Sequence, residues 1–189
     1  MIKIGILGDI GSGKSFVSKC FGYPVFNADL EVSKLYQKDK KIFNKLKKIL
    51  PNYFSYFPIN KNQVSRAILS EKNNLRKIVK IIHLEIKKKM KNFLEKNKKR
   101  KIVILDIPLL LENKMNTKKD ILIFIQSKRK DILKRLKKRP NFNQQILKKF
   151  KSIQLPLDYK KRKSDFIIIN NFTKKSVKRD INIILKKII

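Results

Sequence analysis

Residues 8–15 of this chain, with the sequence GDIGSGKS, combine the residue types that bind a phosphate group. Glycines at three of these positions can adopt backbone angles closed to other residues, so successive N–H groups can turn toward an anion. Lys14 supplies a full positive charge, and the Ser15 hydroxyl is a suitable ligand for Mg²⁺. The spacing G-x-x-x-x-G-K-[ST] therefore predicts a site for the phosphates of a nucleotide.

The segments on either side of this loop have the pattern that such a site requires. An apolar run at residues 2–7 predicts a buried strand, and residues 16–21 predict the first helix. A strand, a glycine loop and a helix in this order distinguish a phosphate site from a glycine turn with an incidental lysine. The positive end of the helix dipole near Gly13 adds to the attraction. The predicted nucleotide ligands are Gly8, Gly11, Ser12, Gly13, Lys14, Ser15 and, through its backbone, Phe16.

The composition of the chain excludes several classes of protein. Its 189 residues are the length of one domain, and the 42% of hydrophobic residues suffice for a sizeable core. The single cysteine, Cys20, excludes an internal disulfide and leaves a thiolate zinc cluster without partner ligands. No apolar run has the length of a signal-peptide core or a transmembrane helix. We therefore expect a soluble cytoplasmic protein without a membrane partner.

The charge balance is strongly basic and has two interpretations. The 49 Lys+Arg residues against 14 Asp+Glu give a formal net charge of +35, which favours binding to nucleic acid. However, the lysines are scattered along every helical segment together with abundant Ile and Asn, as in an AT-rich coding sequence. No RNA-reading module with interleaved aromatic residues accompanies them. We therefore predict no specific nucleic-acid partner, although weak binding at low salt is expected.

Four further segments predict strands that alternate with helices. They comprise residues 23–27, 101–106, 120–125 and 164–169, and the second of them is apolar on both faces, like a central parallel strand. This alternation predicts an α/β fold with a parallel five-stranded sheet and helices on both faces. The predicted helices begin or lie at residues 30–36, 39–50, 60–69, 70–80, 81–97, 127–138, 144–153 and 176–188, with a hinge-like break at 140–143. Residues 108–112 are predicted to form a turn and a helical segment.

The order of these motifs resembles the dephospho-CoA kinase family over nearly the whole chain. The motifs are the phosphate loop, VFNAD at 25–29, His83, DIPLLLE at 106–112, KRLKKR at 134–139, QLP at 154–156 and SDFIIIN at 164–170. The P-L-L-x-E segment and the second strand that ends in an acid make the match specific. The resemblance implies a P-loop NTPase-type core at 1–29, 98–134 and 154–189, a helical CoA-binding insertion at 30–97 and a small lid at 135–153.

The resemblance also implies a reaction and a set of roles. The reaction is ATP-dependent phosphorylation of the ribose 3′-hydroxyl of dephospho-CoA, the last step of CoA biosynthesis, with Mg²⁺ as cofactor. The protein is expected to be a monomer or a weak homo-oligomer. The implied catalytic residues are Lys14, Asp29 as the base, and Arg139. Arg135 and Asn170 would contact ATP, Ser15 would hold the metal, and Asp29, His83 and Glu112 would bind the acceptor.

Each of these roles has a plainer alternative that the sequence leaves open. Asp29 could instead cap the following helix. Arg135 and Arg139, four residues apart, are predicted to lie on one helix face, which suits phosphate oxygens or a solvated basic surface. Glu112 could stabilise its own loop, and His83 could be an ordinary helical residue. Asp106 could orient Mg²⁺ through a water molecule or simply end its strand.

Five positions depart from the family pattern. Asp9 stands in place of a glycine, and its carboxylate is expected to point away from the phosphates. Phe16 replaces a threonine, and Asn27 replaces the first acid of an Asp-Ala-Asp motif. Leu84 replaces the proline after the histidine, so this helix should be less kinked. Phe150 replaces an arginine, which removes a possible adenine contact.

Two other functions remain as alternatives at this point. One is a different nucleoside or nucleotide kinase of the same fold. The other is a basic nucleic-acid-binding P-loop protein, which predicts ATP turnover that RNA stimulates and a dedicated basic face.

Overall fold

Five parallel strands form one sheet in the computed structural model, which describes residues 1–140 and 142–189. The strands follow the spatial order β2-β3-β1-β4-β5, so β1 lies at the centre. Their bounds are β1 Ile2–Gly8, β2 Val25–Asn27, β3 Ile102–Asp106, β4 Ile121–Gln126 and β5 Phe166–Ile169. The predicted five-stranded parallel sheet is confirmed.

The strand register brings the residues at the carboxyl ends of β1, β2 and β3 to one edge of the sheet. Gly5 of β1 pairs with Leu105 of β3, and Gly8 pairs with Ile125 of β4. On the other side of β3, Asn27 at the end of β2 pairs with Asp106. Because parallel strands end at the same edge, the loop after Gly8 and the side chains of Asn27 and Asp106 share the carboxyl edge of the sheet.

Nine helices connect and cover these strands within the described ranges. They are α1 Lys14–Cys20, α2 Ala28–Lys38, α3 Lys40–Ile49, α4 Lys61–Ser70, α5 Asn74–Lys96, α6 Arg129–Lys137, α7 Gln144–Ser152, α8 Leu157–Arg162 and α9 Lys174–Ile188. Local sequence explains several starts. The Asp39 side chain accepts from the Ile42 N–H and caps α3, and Asn60 forms a capping box with Gln63 at α4. None of these helices is both long and apolar enough to span a bilayer.

The helix predictions were wrong in three places. The two helices predicted at 70–80 and 81–97 are one helix, α5, because no Gly or Pro interrupts the buried i, i+4 series of Ile78, Ile82, Ile86 and Met90. Residues 108–112 form turns rather than a helical segment. The six-residue helix α8 was missed because it is too short for a periodic signal. The predicted hinge at 140–143 includes Asn141, which lies outside the described residues.

The chain divides into two compact units. The first comprises Met1–Asn27, Phe93–Phe142 and Leu155–Ile189, and it contains the whole sheet. Its core is built from strand residues and from the inner faces of α1 and α9, including Ile4, Ile6, Val17, Ile123 and Ile181. This packing holds the phosphate loop on a rigid support, because α1 contacts both β1 and α9.

The second unit comprises Ala28–Asn92 and Asn143–Gln154, and its described residues form helices and loops without a strand. Helix α7 joins it through contacts with α4. The Lys149 ammonium donates to the carbonyls of Leu69 and Glu71, 3.0 and 3.2 Å away, at the C-terminal end of α4. A cation at this end of a helix is stabilised by the helix dipole.

Candidate phosphate-binding site

The predicted phosphate loop connects the end of β1 at Gly8 to the start of α1 at Lys14. Gly13, the N-cap of α1, has a φ of +90°, and a Cβ atom there would lie 2.3 Å from the Asn170 Nδ2. A Cβ atom at Gly11 would lie 3.0 Å from the Leu136 Cγ. Only glycine lets the loop turn this tightly between its neighbours.

Two side chains fix the carbonyl group of Ser12. The Asn170 Nδ2 donates to it over 2.8 Å, and the Ser127 Oγ donates to it over 2.9 Å. Asn170 is 1% exposed, so its amide acts from inside the protein. Because the C=O and N–H of a trans peptide point in opposite directions, the Gly13 N–H points away from these two donors. The loop is therefore preorganised, with that N–H directed away from its anchor.

Lys14 places its ammonium group over the loop itself. The Nζ donates to the carbonyl of Asp9 over 2.8 Å and to that of Gly8 over 3.2 Å. The side chain is only half-buried, so it can reorient toward an anion. A full positive charge therefore lies beside the loop N–H groups, as phosphate binding requires.

The Asp9 carboxylate contacts the backbone of the loop. Its Oδ1 accepts a hydrogen bond from the Ile10 N–H over 2.7 Å. An ionised carboxylate is stabilised by such a backbone donor. That this carboxylate points away from bound phosphates stays a prediction.

Asp106 lies at the carboxyl end of β3 and is 2% exposed. The Asn27 Nδ2 donates to its Oδ2 over 2.6 Å, and the Ser15 hydroxyl also donates to the carboxylate. Burial raises the pKa of Asp106, while the hydrogen bond from Ser15, the charge of Lys14 and the hydrogen bond from Asn27 partly oppose that rise. The structure thus joins Asp106 to Ser15, the predicted metal ligand.

The two predicted lid arginines differ in their surroundings. Arg135 lies on α6, and its guanidinium carbon is 4.1 Å from the ring centroid of Phe172. Arg139 is exposed and follows the end of α6 at Lys137. The prediction that both lie on one helix face is therefore wrong, because the helix ends before the residue that precedes Pro140.

Two residues predicted to bind the acceptor belong to the helical unit. Asp29 is exposed and is the second residue of α2, so it is not the N-cap of this helix. His83 is half-buried in the middle of α5, which passes through Leu84 without interruption. Burial, and next the charge of Lys87, lower the pKa of His83, so its imidazole is neutral at pH 7. Its Nδ1 has no hydrogen-bond partner among the described residues.

Glu112 forms a buried ion pair that the sequence did not predict. Its Oε1 lies 2.6 Å from the Nζ of Lys160, which is 1% exposed, and it also accepts from the Leu155 N–H over 3.0 Å. These contacts tie the turn after β3 to the start of α8. They favour the alternative that Glu112 stabilises its loop. No signal distinguishes Lys160 from the neighbouring lysines in the sequence.

The comparisons with known proteins agree on one family. A family model described as dephospho-CoA kinase matches residues 2–176. The dephospho-CoA kinase of Wolbachia sp. subsp. Brugia malayi is 35% identical over 179 residues, which are 92% of this chain and 91% of that protein. The dephospho-CoA kinase of Bartonella quintana is 31% identical over 170 residues, 87% of each chain.

Solved structures share the fold at lower sequence identity. The crystal structure of TT1252 from Thermus thermophilus has a TM-score of 0.75 at 22% identity and covers 100% of this chain and 98% of that one. The dephospho-CoA kinase from Campylobacter jejuni has a TM-score of 0.60 at 20% identity, with coverages of 98% and 96%. A shikimate kinase from Aquifex aeolicus has a TM-score of 0.54 at 18% identity, with coverages of 98% and 97%. These likenesses confirm the predicted P-loop kinase fold.

Proposed function

The chain belongs to the dephospho-CoA kinase family, and we propose that the phosphate loop, Asp29, Asp106 and Arg139 carry out its reaction. Membership confirms the predicted enzyme, which phosphorylates dephospho-CoA in CoA biosynthesis with ATP as the phosphate donor. The observation that carries the residue assignment is the convergence of Lys14, Ser15 and Asp106 at the end of the central strands.

Mg²⁺ fits the oxygen donors beside the loop. The Ser15 hydroxyl would be its direct ligand, and the buried Asp106 carboxylate would accept hydrogen bonds from its water molecules. The described residues contain no cluster of three His, Cys, Asp or Glu side chains that could hold a metal alone. Mg²⁺ usually takes only one or two ligands from the protein and completes its coordination shell with water and phosphate oxygens. When bound, the ion neutralises charge on the β- and γ-phosphates.

The reaction needs positioning and charge neutralisation more than covalent chemistry. Lys14 would leave the loop carbonyls and bind phosphate oxygens, and the loop N–H groups would hold the β-phosphate. Asp29 would accept the proton of the 3′-hydroxyl as the new O–P bond forms and the bond to the β-phosphate oxygen breaks, which leaves ADP. Asp29 lies two residues after Asn27, the last residue of β2, and is the second residue of α2.

The helical unit supports the assignment of residues 30–97 to CoA binding, whereas the assignment of residues 135–153 to a lid stays a prediction. It contains the neutral, half-buried imidazole of His83, which can exchange a hydrogen bond with a polar acceptor group. It also carries exposed lysines along α5, which suit the pyrophosphate of the acceptor. A cytoplasmic location and a monomer or weak homo-oligomer remain predictions from the sequence.

We expect Arg139→Lys to lower kcat/KM about tenfold although the charge is retained. Arg139 is exposed and pairs with no described carboxylate at ion-pair distance, so its guanidinium is available to an incoming anion. A guanidinium binds two phosphate oxygens at once, whereas an ammonium acts as a point charge. Steady-state kinetics with ATP and dephospho-CoA measure the effect. The matched control is Arg129→Lys, an exposed position at the start of α6, which should change nothing. Equal kcat/KM values for the two variants would show that Arg139 belongs to the solvated basic surface and has no role in the reaction.

An acceptor panel tests the function as a whole. With ATP and Mg²⁺ at about 0.15 M salt, which screens the surface charge, the protein should convert dephospho-CoA. AMP, adenosine and RNA should remain nearly unmodified. The mass of the product and its sensitivity to a 3′-nucleotidase identify the phosphorylated position. No conversion of dephospho-CoA, together with ATP hydrolysis that RNA stimulates, would favour the nucleic-acid alternative.

A further inference from the structure

Asn27 is the last residue of β2, and it pairs in register with Asp106, the last residue of β3. Its Nδ2 donates to the Asp106 Oδ2 over 2.6 Å, which is a short hydrogen bond. Asn27 takes no part in the phosphoryl transfer itself, because an amide neither carries a charge nor accepts the proton of a hydroxyl. Its contact with Asp106 therefore indicates what it does at this site.

The hydrogen bond from Asn27 fixes the orientation of a buried carboxylate. Asp106 is 2% exposed, so rotation of its carboxylate away from the amide would leave a buried oxygen without this donor, at a cost in free energy. The same carboxylate accepts a hydrogen bond from the Ser15 hydroxyl. Asn27 thus holds Asp106 in the orientation in which it receives the proton of Ser15.

The contact with Asp106 in turn determines what the Ser15 oxygen can offer to a cation. A hydroxyl group has one proton to donate and two lone pairs. Since the proton of Ser15 is donated to Asp106, the hydroxyl presents only lone pairs to a metal ion. Asn27, Asp106 and Ser15 therefore form a hydrogen-bonded series that runs from β2 through β3 to α1, and all three residues belong to the first unit.

We propose that Asn27 is a positioning residue for Mg²⁺ and acts through Asp106 on Ser15. Side chains that hydrogen-bond to a metal ligand from outside the coordination shell orient that ligand, and their loss lowers metal affinity by about 10- to 100-fold. The residue type matters, because an amide always donates, whereas an ionised carboxylate at position 27 could only accept and would repel Asp106. This inference rests on the proposed function, which assigns Ser15 to the metal.

The test is Asn27→Leu, which removes the amide and keeps a side chain of similar size at a half-buried position. Calorimetry without acceptor gives the dissociation constant of ADP in EDTA and in excess Mg²⁺. The ratio of these two constants measures how strongly the metal and the nucleotide favour each other's binding. This ratio should fall about tenfold, whereas the constant in EDTA should stay the same because the phosphate loop is intact. Asn27→Ala, which adds no bulk, should show the same fall.

Gln126→Leu is the matched control, because Gln126 is exposed and is also the last residue of a strand, β4. It should leave both dissociation constants unchanged. Ser15→Ala should also lower the ratio. Adding Asn27→Leu to Ser15→Ala should cause no further fall, since residues that act in one series are not additive.

Three results would overturn the proposal. The first is an unchanged ratio in both Asn27 variants, and the second is an equal weakening of ADP binding in EDTA and in Mg²⁺, since Asn27 would then only support the loop. The third is an additive loss in the double variant, because Asn27 would then act without Ser15. Failure to phosphorylate dephospho-CoA would count against the proposed function and not against this inference, because ADP and Mg²⁺ binding are measured without acceptor.

Discussion

Lys14→Ala should leave a folded protein whose phosphoryl transfer is reduced by at least about a hundredfold. The ammonium group lies over the loop, 2.8 and 3.2 Å from the carbonyls of Asp9 and Gly8, and can turn to the phosphates. Loss of one preorganised electrostatic contact to the charge that develops in a transition state costs on the order of 3 kcal/mol. Alanine cannot replace it, because no other charge in the loop is positive.

The fold should survive this change because other contacts hold the loop. Asn170 and Ser127 both donate to the Ser12 carbonyl, and neither contact involves the lysine side chain. The measurements are kcat/KM with ATP and dephospho-CoA and the thermal melting temperature. Lys19→Ala removes an equal charge from the same helix and should keep most of the activity. A kcat/KM of Lys14→Ala close to that of the wild type would contradict the assignment of residues 8–15 as the phosphate-binding loop.

The phosphate loop could be predicted because its chemistry depends on a few adjacent residues. The glycine spacing determines which backbone conformations are available, and Lys14 and Ser15 follow at positions that a short turn brings together. The strands could be predicted because buried parallel strands have continuous apolar runs. These signals are local, so tertiary contacts did not alter them.

Features that depend on distant contacts could not be predicted. The Glu112–Lys160 ion pair joins two residues that are far apart in the chain, and Lys160 lies in a basic segment where every lysine looks alike. The stack of Arg135 on Phe172 similarly joins α6 to the loop before α9. In both cases the role of a residue is set by its partner, and the sequence does not say which partner the fold supplies.

The end of α6 is a different case, because a local signal was present. Pro140 disfavours a helical conformation at Arg139, so the helix had to end early. The sequence therefore contained the information that Arg139 leaves the helix. This correction changes the proposed role of Arg139 little, because a residue in the turn after a helix can also reach a phosphate.

We expect Asp29→Asn to lower kcat by about a hundredfold or more while the affinity for ATP stays nearly constant. Proton transfer by a positioned carboxylate contributes roughly 10²- to 10⁴-fold to a rate, and an amide cannot accept the proton. Because α2 begins at Ala28, Asp29 is not the N-cap, and the substitution removes no capping residue. An acid in the first turn still interacts with the helix dipole, but this contributes only about 0.3–1 kcal/mol to stability. A large loss of kcat with a small loss of stability would therefore indicate a chemical role.

Glu31→Gln separates these two effects, since Glu31 is the other acid in the first turn of α2. It pairs with Lys34 and Lys89 and should affect stability alone. If Asp29→Asn instead behaves like Glu31→Gln, with a turnover number close to that of the wild type, Asp29 is not the base. Two explanations would then remain, and Asp106→Asn distinguishes them. A loose phosphoryl-transfer transition state can need little help from a base, in which case charge neutralisation by Lys14 and Mg²⁺ would carry the reaction. Alternatively, the buried Asp106, whose pKa is raised, could take the proton. In that case kcat would begin to decrease, as the pH is lowered, at a higher pH than it would with an exposed carboxylate as the base.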